Sequence, residues 1–141
     1  MVTGLAKYSA HEVRQRASSP KLQVLNTALI SAQANLTFET ARRDPVYWGR
    51  IVESAVGAYL LNSVIGTPIE IFYWREGNHE VDFVIRNGEK LIAIEVKSTT
   101  RKEALPGMDA FNKLYKPDRM LLVGGSGIPL EKFLQMSVVD L

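Results

Sequence analysis

The chain has 141 residues, 46% hydrophobic and 23% charged, with a formal net charge of +2. That is enough apolar material for one core and too ordinary a charge balance for a disordered segment or a coiled coil. Cysteine is absent, which removes disulfides and thiolate metal sites, and no apolar run approaches bilayer-spanning length, so a cytoplasmic setting without a membrane partner is expected.

Residues 1–20 have weak periodicity and a polar stretch from Arg14 to Ser19, and read as an N-terminal lead-in, either loosely ordered or a short helix. The remainder, 21–141, reads as a single α/β domain. Lys21 to Leu25 has the look of a short strand and Thr27 to Leu36 of a helix, with Glu39 to Arg43 a polar connection. Asp44-Pro45 then opens a long helix over 45–64, with Asp as N-cap and Pro at the first helical position. Trp48, Ile51, Val52, Ala55, Val56, Tyr59 and Leu60 recur at helical spacing, and Gly66 with Pro68 ends the run. Glu53 interrupts the border of this stripe. Gly49 and Gly57, four residues to either side, lie on the same line of the helix and would let a backbone or a substrate approach closely. A boundary Glu reaching for solvent has the same signature.

A β-meander follows, with strands expected at 70–74, 79–86 and 90–97. Asn87-Gly88 between alternating apolar runs is a strong hairpin signal. If these two residues form the loop, Arg86 pairs with Glu89, Val81 lies opposite Ile94, and Phe83 lies opposite Ile92. Val81, Phe83, Ile92 and Ile94 then share one face. The other carries Glu80, Asp82, Glu95 and Lys97, with Glu80 directly across from Glu95. Like charges placed opposite one another destabilise a sheet, and a divalent cation held by clustered carboxylate oxygens would account for them. A solvated, alternating charged face is the plainer reading of the same pattern.

Leu105 to Tyr115 reads as a helix and Arg119 to Val123 as a strand, completing a crossover that sets this strand parallel to its partner. A short helix is expected over Leu130 to Gln135. Gly124-Gly125-Ser126-Gly127 lacks the Lys-Ser/Thr ending of a phosphate-binding loop and reads as a turn. Arg42, Arg43 and Arg50 cluster at the start of the long helix, and Arg101-Lys102 follow the last strand of the meander. Such residues suit phosphate contacts and are equally common on plain surfaces. His11 and His79 alone cannot build a zinc site. His79 precedes a strand near the carboxylates and reads as a weaker site candidate, with a solvated strand end the simpler account.

Glu53 on a helix, Asp82 on a strand and Glu95-Val96-Lys97 on the next strand resemble, in order and placement, the active-site set of the PD-(D/E)XK nuclease superfamily. Val81 stands where that family often has Pro. More narrowly, Ser19-Pro20-Lys21-Leu22, Glu53, Glu80-Val81-Asp82-Phe83, Ile94-Glu95-Val96-Lys97-Ser98 and the strand and turn from Arg119 to Gly125 resemble an uncharacterised nuclease-like domain. That domain is found C-terminal to the ATPase in a family of prokaryotic AAA+ proteins. Asn26-Thr27-Ala28-Leu29 departs from the Asp-x-Gly-Leu of those relatives, and no Walker motif occurs in the chain. The resemblance implies a restriction-endonuclease-like α/β core, with a mixed sheet flanked by helices. It further implies a Mg²⁺- or Mn²⁺-dependent nuclease acting on DNA, with Asp82, Glu95, the Val96 carbonyl and Glu53 as metal ligands and Lys97 as the catalytic cation. Glu80 is a weaker candidate. The alternative is a non-catalytic module of the same fold that binds an AAA+ ATPase domain or nucleic acid.

Overall fold

The computed structural model describes residues 1–101 and 103–141, and only the backbone of Glu12 and Val13. Its centre is a four-stranded sheet of order β3-β4-β5-β6, made by β3 (Glu70–Glu76), β4 (His79–Asn87), β5 (Lys90–Lys97) and β6 (Arg119–Gly124). The first three strands run antiparallel, and β6 joins β5 in parallel after the crossover helix α5 (Pro106–Tyr115). The mixed sheet flanked by helices is therefore the expected α/β architecture.

Each face of the sheet has its own core. On one, α4 (Pro45–Ser63) packs Val52, Val56 and Leu60 against Ile71, Phe83, Ile85, Ile92, Ile94 and Val96. On the other, Met108 and Phe111 of α5 cover Phe72, Trp74, Val81, Val84, Leu91 and Ala93. A strand buried on both faces reads as a continuous apolar run, which is why Leu91 to Ile94 are all apolar and all buried. At the start of α4, Asp44 Oδ1 accepts from the backbone N–H groups of Val46 and Tyr47, both at 3.0 Å, as the Asp-Pro signature requires. Among the described residues no helix is long and apolar enough to cross a membrane.

The N-terminal part departs from expectation in two places, the strand Val2–Leu5 and the helix Phe38–Arg43, while its short helix, its strand from Lys21 and the helix after Thr27 are as expected. Residues 1–20 contain a strand, β1 (Val2–Leu5), which pairs antiparallel with β2 (Lys21–Val24), and Leu5 enters the α4-side core at 2% exposure. A four-residue strand containing Gly has little periodicity, and its pairing comes from a partner sixteen or more residues away in sequence. The helix α1 spans Glu12–Ala17 and α2 spans Ala28–Gln33. The segment read as a polar connection is a six-residue helix, α3 (Phe38–Arg43), capped by Thr37 Oγ1, which accepts from the Thr40 N–H at 3.2 Å. Phe38 stacks edge-on against Trp48 with ring centroids 5.7 Å apart, so this helix is held by α4 rather than by its own propensity. The chain ends in a short helix, α6 (Leu130–Phe133), and a 3₁₀ turn whose Val138 and Leu141 close the same core.

The hairpin register differs from the one the Asn-Gly turn implied. Asn87 pairs with Lys90, leaving Gly88-Glu89 as the loop, and Phe83 rather than Val81 lies opposite Ile94. Gly88 has φ +60°, and Gly at the first loop position is what a type II′ turn selects, whereas Asn-Gly would have formed type I′. The slip is two residues, so side-chain parity survives near the turn. Farther along, a bulge breaks it. Between the pairs Phe72–Val84 and Trp74–Val81, the two residues Asp82 and Phe83 oppose Tyr73 alone. Val81 consequently joins the α5-side core with Trp74, while Phe83 stays with Ile92 and Ile94 on the α4 side. The single shared face expected for these four residues does not form.

Candidate functional site

The bulge is where the charged residues meet. Paired β4–β5 residues run from Asn87–Lys90 to Phe83–Ile94. Beyond that point the Asp82 side chain takes over the bonding, with the Val96 N–H donating to Asp82 Oδ2 at 2.8 Å. Bulges re-aim side chains in this way. Continuing the register brings Asp82, not Glu80, opposite Glu95. Glu80 instead pairs with Arg75 of β3 along the backbone, and its Oε2 lies 3.2 Å from the Arg75 guanidinium.

Glu53 comes to the same place from the first half of α4. Its Oε1 accepts from Lys21 Nζ at 2.6 Å, and the same ammonium reaches Glu80 Oε1 at 3.1 Å. Lys97 Nζ lies 3.2 Å from Glu95 Oε1, while Glu95 Oε2 is buried with no hydrogen-bond partner among the described residues. The structure thus gathers Glu53, Glu80, Asp82, Glu95 and Lys97, and adds Lys21. The sequence held a signal for Lys21: it and Gln23 alternate on one side of β2, matching Glu53 and Gly57 four apart on α4.

The electrostatics follow from burial and crowding. Desolvation, then the charges of Glu95 and Glu53, push the Asp82 carboxyl up to about 7, against the opposing pull of the Val96 N–H and Lys21. Glu95 is also raised, first by burial and further by Glu53, with Lys97 and the Asp82 backbone working the other way. For Lys21, burial would lower the pKa, but its hydrogen bond and charge interaction with Glu53, together with Asp82 and Glu80, leave it raised. Burial and mutual repulsion thus push both carboxyls toward the neutral form.

Asp82, Glu95 and the adjacent Val96 carbonyl are hard oxygen donors of the type Mg²⁺ and Mn²⁺ prefer, and the orphaned Glu95 Oε2 fits such an ion. Glu53, expected to complete that shell, is engaged by Lys21. Among the described residues no three His, Cys, Asp or Glu side chains gather closely enough to hold a metal in this arrangement.

Glycines set the close contacts around the site. A Cβ on Gly57 would sit 2.2 Å from Gln23 Oε1, one on Gly107 of α5 would sit 1.8 Å from the Glu80 carbonyl, and one on Gly124 would sit 2.0 Å from the Lys97 carbonyl. A Cβ on Gly49 would lie 3.3 Å from Ser98 Oγ. Close approach at Gly49 and Gly57 is thus by other parts of the chain. The Gly124-Gly125 turn backs directly onto Lys97. His79 is exposed at the start of β4, opposite Glu76. Arg42, Arg43, Arg50 and Arg101 are exposed as well, and Lys102 lies outside the described residues.

No curated protein and no solved structure matches the chain. The family model for a domain of unknown function, DUF4143, matches residues 48–137. That stretch takes in α4 from Trp48 onward, the whole central sheet and every carboxylate of the site, and the chain belongs to this family.

Proposed function

We propose that the protein is a divalent-metal-dependent nuclease that hydrolyses nucleic-acid phosphodiesters, DNA in the first instance. The observation that carries this reading is the pair Asp82 and Glu95. Both are largely buried, Asp82 has no cationic side chain in ion-pair contact among the described residues, and Glu95 Oε2 has no partner. Crowding two carboxylates in a poorly solvated place is costly unless a cation joins them. The order Glu53, Asp82, Glu95-x-Lys97, which resembles that of the PD-(D/E)XK nucleases, supports the same reading.

Asp82, Glu95 and the Val96 carbonyl would hold the ion. A divalent cation there supplies Lewis-acid polarisation of a phosphodiester and acidifies a water. The contribution of the chain's own residues follows from their positions. Lys97 is oriented by Glu95 at 3.2 Å and backed by the Gly124-Gly125 turn, so its ammonium is fixed in direction. It would offset the negative charge that develops on the phosphoryl oxygens in the transition state. The Val96 N–H fixes one Asp82 oxygen and leaves the other for the ion. The test is incubation with plasmid, single-stranded and branched DNA in Mn²⁺, alongside Asp82→Asn and Glu95→Gln. Cleavage by the wild type alone supports the reading. Folded protein that cuts nothing across the panel defeats it.

The Lys21–Glu53 contact favours a second reading, a non-catalytic module that retains the fold and binds a partner. The family is associated with AAA+ ATPase proteins, which makes such an ATPase domain the natural partner. Titration calorimetry with Mn²⁺ separates the two readings, because a module with a self-neutralised site is indifferent to metal.

A further inference from the structure

Lys21 is not a loose surface lysine. Its strand lies along α4, and three contacts hold it there. Lys21 Nζ donates to Glu53 Oε1, Gln23 Nε2 donates to the Ser54 carbonyl at 3.0 Å, and Asn62 Nδ2 donates to the Leu25 carbonyl at 3.1 Å. Two strand residues advance about 6.6 Å and four helix residues about 6 Å, so residues 21 and 23 keep step with 53 and 57. Gln23 is 5% exposed and fills the notch that Gly57 leaves open. The position of Lys21 is therefore set by a registered strand–helix contact.

Charge divides the carboxylates into two unequal halves. In one, Glu53 and Glu80 meet two cations, Lys21 and Arg75. In the other, Glu95 meets Lys97, while Asp82 has no cation at ion-pair distance among the described residues and feels only the charge of Lys21 from beyond that distance. Two-ion hydrolytic sites place their cations about 3.5–4 Å apart across a shared carboxylate set, and an ammonium with three donors can stand in one such position. Resting on the metal-site reading above, we propose that Lys21 is a built-in cation occupying one of two cation positions, so that the site accepts a single divalent ion, at Asp82 and Glu95. Lys21 is then a positioning residue that holds Glu53 and Glu80 out of the metal shell.

Counting Mn²⁺ per chain by titration calorimetry tests this without reference to cleavage. The wild type should bind one ion, and Lys21→Arg should also bind one. Lys21→Met should bind two, with the second lost again when Glu80→Gln is added. A single ion on folded Lys21→Met, or two on the wild type, overturns the role given to Lys21 and leaves the metal site standing. No ion on the wild type overturns the metal site itself and this proposal with it. Should Lys21→Met fail to fold, anomalous scattering from wild-type crystals soaked in Mn²⁺ decides. One peak at Asp82 and Glu95, with Lys21 still on Glu53, supports the proposal, and a peak between Glu53 and Glu80 refutes it.

Discussion

Replacing Asp82 by Asn should stabilise the metal-free protein, by an amount that depends on pH in a defined direction. The folded-state pKa of Asp82 is raised from 3.8 to about 7. The folded protein therefore holds this proton more tightly than the unfolded chain, and stability falls as pH rises between those values. Below about pH 4 both states carry the proton and the group contributes no difference. Above about pH 7 both are ionised and the full penalty is present, at most about 4 kcal/mol at 1.36 kcal/mol per pH unit. Asp82 and Glu95 titrate as a pair and share the penalty, so about 2–4 kcal/mol is expected from the single change. The amide carbonyl of Asn can still accept the Val96 N–H, so that hydrogen bond is retained. Urea unfolding in EDTA at pH 4, 6 and 8 measures the effect. Asn and Asp proteins should be equally stable at pH 4 and diverge in favour of Asn at pH 8. A variant less stable than wild type by more than about 1 kcal/mol at pH 8 would mean that the carboxylate is a structural partner of some donor. A difference independent of pH would refute the electrostatic reasoning.

Two further outcomes are expected in EDTA at neutral pH. Lys97→Ala removes the cation beside Glu95 and should lower stability by up to about 1 kcal/mol, the range for a partly exposed ion pair; an increase in unfolding midpoint would contradict it. Gly57→Ala would gain about 1 kcal/mol in helix propensity. It also displaces Gln23 from the Ser54 and Val24 carbonyls, each loss costing about 1–3 kcal/mol. The net should be destabilising, with faster amide exchange along β2 as the local readout, and a neutral or stabilised variant would show that the notch is not needed.

The elements around the site were legible because their signals are local. Asp44-Pro45, the apolar stripe of α4 and the alternation of β4 and β5 depend on neighbours within a few residues, the parallel return of β6 follows from the strand–helix–strand order, and each appears in the fold. Chemistry could likewise be read from residue type and order, since Glu53, Asp82, Glu95 and Lys97 could be singled out before their positions were known. β1 and α3 were not legible, because each is a short segment stabilised by a distant partner, β2 in one case and Trp48 in the other.

Tertiary structure decided which carboxylates meet. The Asn-Gly signal located the hairpin but left its register open by two residues, since parity is unchanged by such a slip. The bulge at Asp82–Phe83 then reversed the face of Val81, which joins one core while Phe83 stays in the other. The slip alone exchanged Glu80 for Asp82 opposite Glu95. The partner of Glu53 is likewise a tertiary outcome. Lys21 is thirty-two residues away, and it reaches the helix only because Gln23 and Gly57 fit each other. Residue type in the sequence determined the chemistry available to this protein, and the docking of strand against helix determined which charges offset one another.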